Sequence, residues 1–297
     1  MALGAVYIFW GSTAPAIKIG VASLHPVWFI GLRFVIAGSL MWAWCRVRGT
    51  PLPSFEELRG AAVTGVILLV FGNAVFAWTL QYLPSGIGAL FFGLSPLWMA
   101  LFGFVLYRER MSWVAAFGLG LGLLGMLYLY SPSGAQNLPL VPTIVGVFTS
   151  VAWAFGSMIQ RRFRKTDVVQ MSALQMLIAG ALLVSVALVS GAALSRAEFT
   201  PAALGALGYL VVFGSIVGFS AYLWLMNNVP TTLGSTYSYV NPVVSLAIGI
   251  GLLHERFSAP LGFGAATIVA GVAIMMAAPL VTAKGRPAFE RGHGSRT

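Results

Sequence analysis

Acidic residues are nearly missing from this chain: only seven Asp and Glu occur in 297 residues, and charged residues of both signs make up 8%. A soluble domain carries about 25%, so this chain could not cover a surface that faces water. The scarcity argues against a soluble enzyme, a nucleic-acid-binding protein or a disordered tail as a description of the whole. Cysteine is reduced to Cys45 alone, which can build neither an internal disulfide nor a metal or redox motif. His25, His254 and His293 fall outside the apolar runs, as do all seven acids. No nucleotide-binding loop and no catalytic triad is present, so neither an ATP-driven pump nor an enzyme is expected, and no cofactor or metal.

Apolar sequence fills the space that charge leaves: 59% of the residues are hydrophobic and the mean hydropathy is +0.90. A helix that crosses a bilayer needs about 20 mainly apolar residues. Such runs fall at about Ala2–Gly20, Val27–Cys45, Gly60–Leu80, Ser85–Tyr107 and Trp113–Tyr130. Five more follow at about Leu140–Ile159, Gln170–Ala193, Ala202–Met226, Thr232–Leu253 and Ser258–Val281. Helix is the economical choice, because lipid offers no partner to exposed peptide groups and the alternation of a barrel is absent. The expected fold class is therefore an all-α integral membrane protein with ten transmembrane helices. The first run has an Ala-x-Ala-like stretch at Thr13–Ala16, yet no basic region precedes it and a bundle follows at once. It reads as a helix rather than a signal peptide.

Basic loop residues set the orientation. Arg46, Arg48 and Arg59 lie between spans two and three, and Arg108 and Arg110 between four and five. Arg161, Arg162, Arg164 and Lys165 lie between six and seven, while Lys284, Arg286, Arg291 and Arg296 fill the tail. All of these share one side, against Lys18, Arg196 and Arg256 on the other. Both termini are thus expected in the cytoplasm, with the protein in a bacterial-type inner membrane.

The chain also repeats itself. Leu83-Pro84-Ser85 through Arg110 matches Val229-Pro230-Thr231 through Arg256 at a constant offset of 146 residues. Trp78 pairs with Trp224, Gly88 with Gly234, Pro96 with Pro242, and Glu109-Arg110 with Glu255-Arg256. Outside that constant offset, Arg33 through Gly38 resembles Gln175 through Gly180. Five spans per repeat is an odd number, so the second half must be inverted, and inverted repeats mark secondary transporters. The expected units are residues 1–130, residues 140–281 and a basic cytoplasmic tail at 282–297.

At Phe9-Trp10-Gly11-Ser12-Thr13, Leu32-Arg33-Phe34, Pro84-Ser85-Gly86 and Trp153-Ala154-Phe155-Gly156-Ser157 the sequence resembles the drug/metabolite transporter superfamily, in its EamA-type branch. Ser238-Tyr239-Val240-Asn241-Pro242 and His254-Glu255-Arg256 extend the resemblance to nearly the whole chain. It implies two inverted five-helix repeats around a central cavity that opens alternately to each side. It also implies export of amino acids, other metabolites or amphipathic drugs, with lipid as the surroundings.

Three groups of residues are candidates for the chemistry. Pro15, Pro96 and Pro242 fall inside apolar spans and should free the carbonyls of Gly11, Phe92 and Ser238. They are either paired hinges or static kinks satisfied by neighbouring hydroxyls. Around them stand the aromatic residues Trp10, Phe76, Trp98, Trp153, Phe219, Tyr222, Tyr237 and Tyr239. The polar residues Ser12, Asn73, Ser95, Ser157, Ser215 and Asn241 complete a candidate substrate cavity. An aromatic cage with polar anchors would suit a cationic or aromatic solute; core packing is the competing account of the same residues. Arg33 is the charge inside a span, either a carboxylate anchor or a strut, whereas Lys18 is expected to snorkel outward. Gly118 and Gly122 permit close helix contact, within the fold or between protomers.

The leading function is thus an inner-membrane secondary transporter, working as a monomer, that exports hydrophobic or aromatic amino acids by alternating access. Multidrug efflux is the alternative, and a lipid-modifying membrane enzyme, which would want clustered acids, is disfavoured. With no carboxylate at mid-membrane, proton coupling is not expected.

Overall fold

A computed structural model describes residues 1–108, 112–130, 138–163, 167–191, 199–218, 221, 225 and 237–284. No β-strand occurs among the described residues. The first half holds α1 (Ala2–Gly11), α2 (Thr13–Val21), α3 (Pro26–Val47) and α4 (Phe55–Gly65). It continues through π1 (Val66–Ala74), α5 (Val75–Thr79), α6 (Ser85–Phe92), α7 (Ser95–Tyr107) and α8 (Trp113–Tyr130). The second half holds α9 (Leu140–Gln160), α10 (Val168–Ser190), α11 (Pro201–Tyr209), π2 (Leu210–Val217), α12 (Tyr237–Leu253) and α13 (Ala259–Lys284). A short 3₁₀ turn at Arg161–Phe163 follows α9. Among the described residues, five stretches are long and apolar enough to cross a membrane: Pro26–Val47, Phe55–Thr79, Ser85–Leu106, Leu140–Gln160 and Val168–Ser190. Shorter apolar helices accompany them.

Helix starts follow side-chain caps. Ser54 Oγ accepts from Glu57 N at 3.3 Å while Glu57 Oε2 accepts from Ser54 N at 2.7 Å, a reciprocal capping box. This polar first turn starts the third span at Phe55, five residues before the expected Gly60, because hydropathy does not register a charged helical turn. Asp167 Oδ1 caps α10 through Gln170 N at 2.9 Å, and Thr200 Oγ1 caps α11 through Ala203 N at 3.2 Å.

Four apolar runs are not uniform α-helix. The first breaks at Ser12, and the fourth breaks at Gly93 and Leu94. The third and eighth widen into π1 and π2, where each turn holds an extra residue and the ladder skips to i→i+5. Pro15 and Pro96 therefore stand in the first turn of a new helix, where a missing N–H costs nothing, instead of inside an unbroken one. Pro242 does lie inside its helix, α12.

Two large apolar clusters hold the described elements together, beside a small third one of Ala61, Met171 and Leu174. The larger joins α2, α3, π1, α5, α10, α11 and π2 through Ile17, Phe29, Leu68, Phe76, Met176, Ala203 and Leu210. The smaller joins α6, α7 and α13 through Ile87, Leu90, Leu97, Ile268 and Val272. The most extensive pairings are α8 with α13 and α3 with α10. In the first of these, backbone meets backbone: a Cβ on Gly118 would stand 2.6 Å from the Gly271 carbonyl oxygen. Gly118 and Gly122 thus seal the fold internally, against α13. The outer surface stays apolar, with Val189 89% exposed and Phe263 62% exposed. A water-facing surface would not leave such side chains bare across so many helices; lipid would cover them.

Candidate functional site

A cavity of about 160 Å³ lies among the broken and widened helices. A water needs roughly 10–15 Å³ of such space, so the volume suits a solute of roughly ten heavy atoms. Its lining draws Trp10, Arg33, Asn73, Phe76, Ser95 and Pro96 from the first half. The second half supplies Trp153, Ser215, Tyr237, Asn241 and Pro242. Both π stretches reach it, π1 through Leu69 and Asn73 and π2 through Gly214 and Ser215. Phe34, Phe92, Met99 and Met176 also line it. Nothing in the sequence distinguished these four from ordinary core residues.

The aromatic members touch one another in chains. Trp10 meets Tyr237 edge to face at 5.3 Å, and its Nε1 donates to the Gly214 carbonyl at 3.1 Å. Phe92 bridges Phe76 and Trp153, with ring centroids 5.1 Å from each. The result is a wall of ring faces and edges suited to an apolar or cationic group.

Polar groups interrupt that wall at few points. Arg33 is 5% exposed; its Nε donates to Ser215 Oγ at 3.1 Å, while Nη1 has no hydrogen-bond partner among the described residues. Its guanidinium runs so close to π2 that a Cβ on Gly214 would stand 3.3 Å from Nη2. Asn73 Oδ1 and Asn241 Oδ1 are also buried without a partner there. Ser95 Oγ donates to the Phe92 carbonyl at 2.5 Å, so the carbonyl expected to be freed by Pro96 is already satisfied.

Other expected residues lie elsewhere. Ser12 Oγ pairs with Tyr209 Oη at 2.6 Å and donates to Phe9 O at 3.1 Å, outside the lining. Trp98 Nε1 donates to Ser150 Oγ at 2.9 Å, within the smaller apolar cluster, and Ser157 Oγ bonds back to Trp153 O at 2.8 Å. Pro15 is buried in α2 and does not line the cavity. Phe219 and Tyr222 lie outside the described residues, as does the side chain of Tyr239. Lys18 does not snorkel: its Nζ donates to Leu83 O at 2.6 Å and to Leu80 O at 3.1 Å. Two carbonyls in the turn after α5 take its ammonium instead.

An apolar exterior, spans of membrane length and a mixed aromatic and polar cavity define a polytopic membrane protein with a solute-sized chamber. A family model described as the EamA-like transporter family matches residues 1–131 and 141–277, and the chain belongs to that family of membrane transporters. It is similar to the uncharacterized inner membrane transporter YedA of Escherichia coli (strain K12): 37% identity over 260 residues, covering 86% of this chain and 83% of the relative. It is also similar to the S-adenosylmethionine/S-adenosylhomocysteine transporter of Chlamydia trachomatis serovar L2, at 26% identity across 88% of this chain and 84% of that one. A solved crystal structure shares the fold at a TM-score of 0.66 and 23% identity, covering 92% of this chain and 95% of its own. These named relatives are transporters and not enzymes.

Proposed function

We propose that this transporter resides in the inner membrane as a monomer and exports small amphipathic solutes, hydrophobic and aromatic amino acids foremost, by alternating access. In this reading ten crossing helices form two inverted halves, both termini face the cytoplasm and the halves rock about the cavity. The observation that carries it is the lining itself, to which both halves contribute aromatic and polar side chains. Repetition in local structure supports the inverted halves. The left-handed residues Arg108 and His254, both at φ 53°, are 146 positions apart, as are the cap residues Ser54 and Thr200. Helix pairing agrees, because π1 packs on α9 as α2 packs on α11, and α1 meets α12 as α7 meets α9. S-adenosylmethionine, the solute named for the Chlamydia relative, itself carries an α-amino acid group.

The experiment is uptake and counterflow of radiolabelled amino acids and fluorescent dyes in proteoliposomes. Protein-dependent movement of a hydrophobic amino acid is expected. Movement of dyes alone would favour multidrug efflux, which the ring-lined wall would equally serve. For orientation, a cysteine at Arg48, an exposed residue just past α3, should react only after permeant reagent enters intact cells. Labelling by an impermeant reagent from outside would reverse the topology.

A further inference from the structure

We propose that Arg33 receives the carboxylate of the transported solute while the amide oxygens of Asn73 and Asn241 receive its ammonium. The cavity would then select free α-amino acids and reject amphipathic cations. This rests on the transport reading above and decides between its two substrate classes.

Arg33 is the charged side chain in the cavity lining, and among the described residues no carboxylate lines the cavity beside it. A buried charge without a counter-charge is costly, and the cost falls when an anion pairs with it through directed hydrogen bonds. Ser215 occupies Nε, while Nη1 is buried without a partner among the described residues in a side chain that lines the cavity. The matching place in the other half shows what packing alone requires. There Gln175, 4% exposed, donates to Thr64 Oγ1 at 2.7 Å and ties its helix to α4 with no charge. A neutral amide performs the structural task, so the positive charge at Arg33 exceeds that task and points to a ligand.

The other two unpartnered atoms are acceptors. An amide oxygen needs a donor, and an ammonium supplies three. Ring faces of Trp10, Tyr237 and Trp153 border the same space and favour a cation or an apolar side chain. One guanidinium balances one carboxylate; a phosphate dianion would leave surplus negative charge in an apolar chamber. A lipophilic cation would add positive charge beside Arg33, with no carboxylate among the described lining residues to meet it.

The test uses wild-type protein in liposomes with three solutes of similar size: L-phenylalanine, phenethylamine without the carboxylate, and 3-phenylpropionate without the ammonium. L-Leucine with isoamylamine, and ethidium, extend the series. Expected transport favours each free amino acid over its decarboxylated amine and over ethidium by about tenfold or more, the usual effect of losing a charge-assisted hydrogen bond. 3-Phenylpropionate should be several-fold weaker than phenylalanine. Arg33→Gln should raise the KM for phenylalanine about tenfold, and Arg33→Lys should restore part of the preference. Binding is read separately as a thermal shift on adding each solute. Phenethylamine moving as well as phenylalanine would overturn the assignment and leave the transport reading intact. An Arg33→Gln protein that melts normally and keeps its KM would do the same. Failure of every solute would remove the transport reading and this assignment with it.

Discussion

Lys18 and Glu255 grip opposite ends of the same turn. Lys18 Nζ takes the carbonyls of Leu80 and Leu83, and Glu255 takes the amides that follow, Ser85 N at 2.7 Å and Gly86 N at 3.4 Å. Glu255 Oε2 also accepts from Ser85 Oγ at 3.0 Å. The cation meets the carbonyl end of α5 and the carboxylate meets the amide end of α6, each where the backbone partial charges want it. The turn thus fastens α2 to the segment that follows α12.

Glu255→Gln should loosen that turn. Losing a charged acceptor for three donors is worth about 2 kcal/mol, which in a chain of this size lowers the melting temperature by several degrees. Arg256→Gln, at an exposed neighbour, should leave it unchanged. Melting in detergent compares the two, and equal melting temperatures would show that the turn is not held by Glu255.

Gly118 admits no side chain. A Cβ there would meet the Gly271 oxygen at 2.6 Å and Met275 N at 2.7 Å, both backbone atoms that cannot swing aside. Gly118→Val should sharply reduce folded protein on size-exclusion chromatography. Gly120→Val, at a position with open space around it, should not.

Pro242 tests the hinge. It lies inside α12 and packs against Gly93 at the break between α6 and α7. Pro242→Ala should restore a helical hydrogen bond and lower transport several-fold while the melting temperature holds. If stability and transport fall together, the proline is a static kink; parental transport with normal melting would reject the hinge. Tyr237→Ala, which opens the cavity wall, should change KM more than maximal rate.

Coupling can be read without a variant. Apart from Glu56 and Glu57 in the first turn of α4, no acid falls within the apolar spans, so downhill flux in liposomes should persist when an imposed pH gradient is collapsed. Flux that stops would call for a proton-carrying group.

Hydropathy made the helical membrane fold legible, since Trp113–Tyr130 and Leu140–Gln160 begin and end almost where the apolar runs do. Much of the cavity lining was legible too, because Trp10, Asn73, Tyr237 and Asn241 are polar-tipped groups in apolar surroundings. Phe34 and Phe92 were not, because a phenylalanine facing a cavity and one facing a core carry the same sequence signal. Trp98 misled for the opposite reason: its indole found Ser150 across the packing seam. Glu255 looked like a loop charge. The signal for its capping role was the bare helix start at Pro84-Ser85-Gly86, where the N-cap Pro84 has no polar side chain to offer.

The widened turns of π1 and π2 left no trace in composition, yet they govern which way the cavity residues point. A helix advances about 100° per residue, so one extra residue re-aims everything beyond it like a click on a dial. Deleting a single residue from Val66–Ala74 would leave a contiguous apolar span of nearly the same length. It would also swing Asn73 by more than a quarter turn relative to α4. Relatives that lack the extra residue would therefore share this fold while presenting a different helix face to the solute, and specificity could change with no substitution at all.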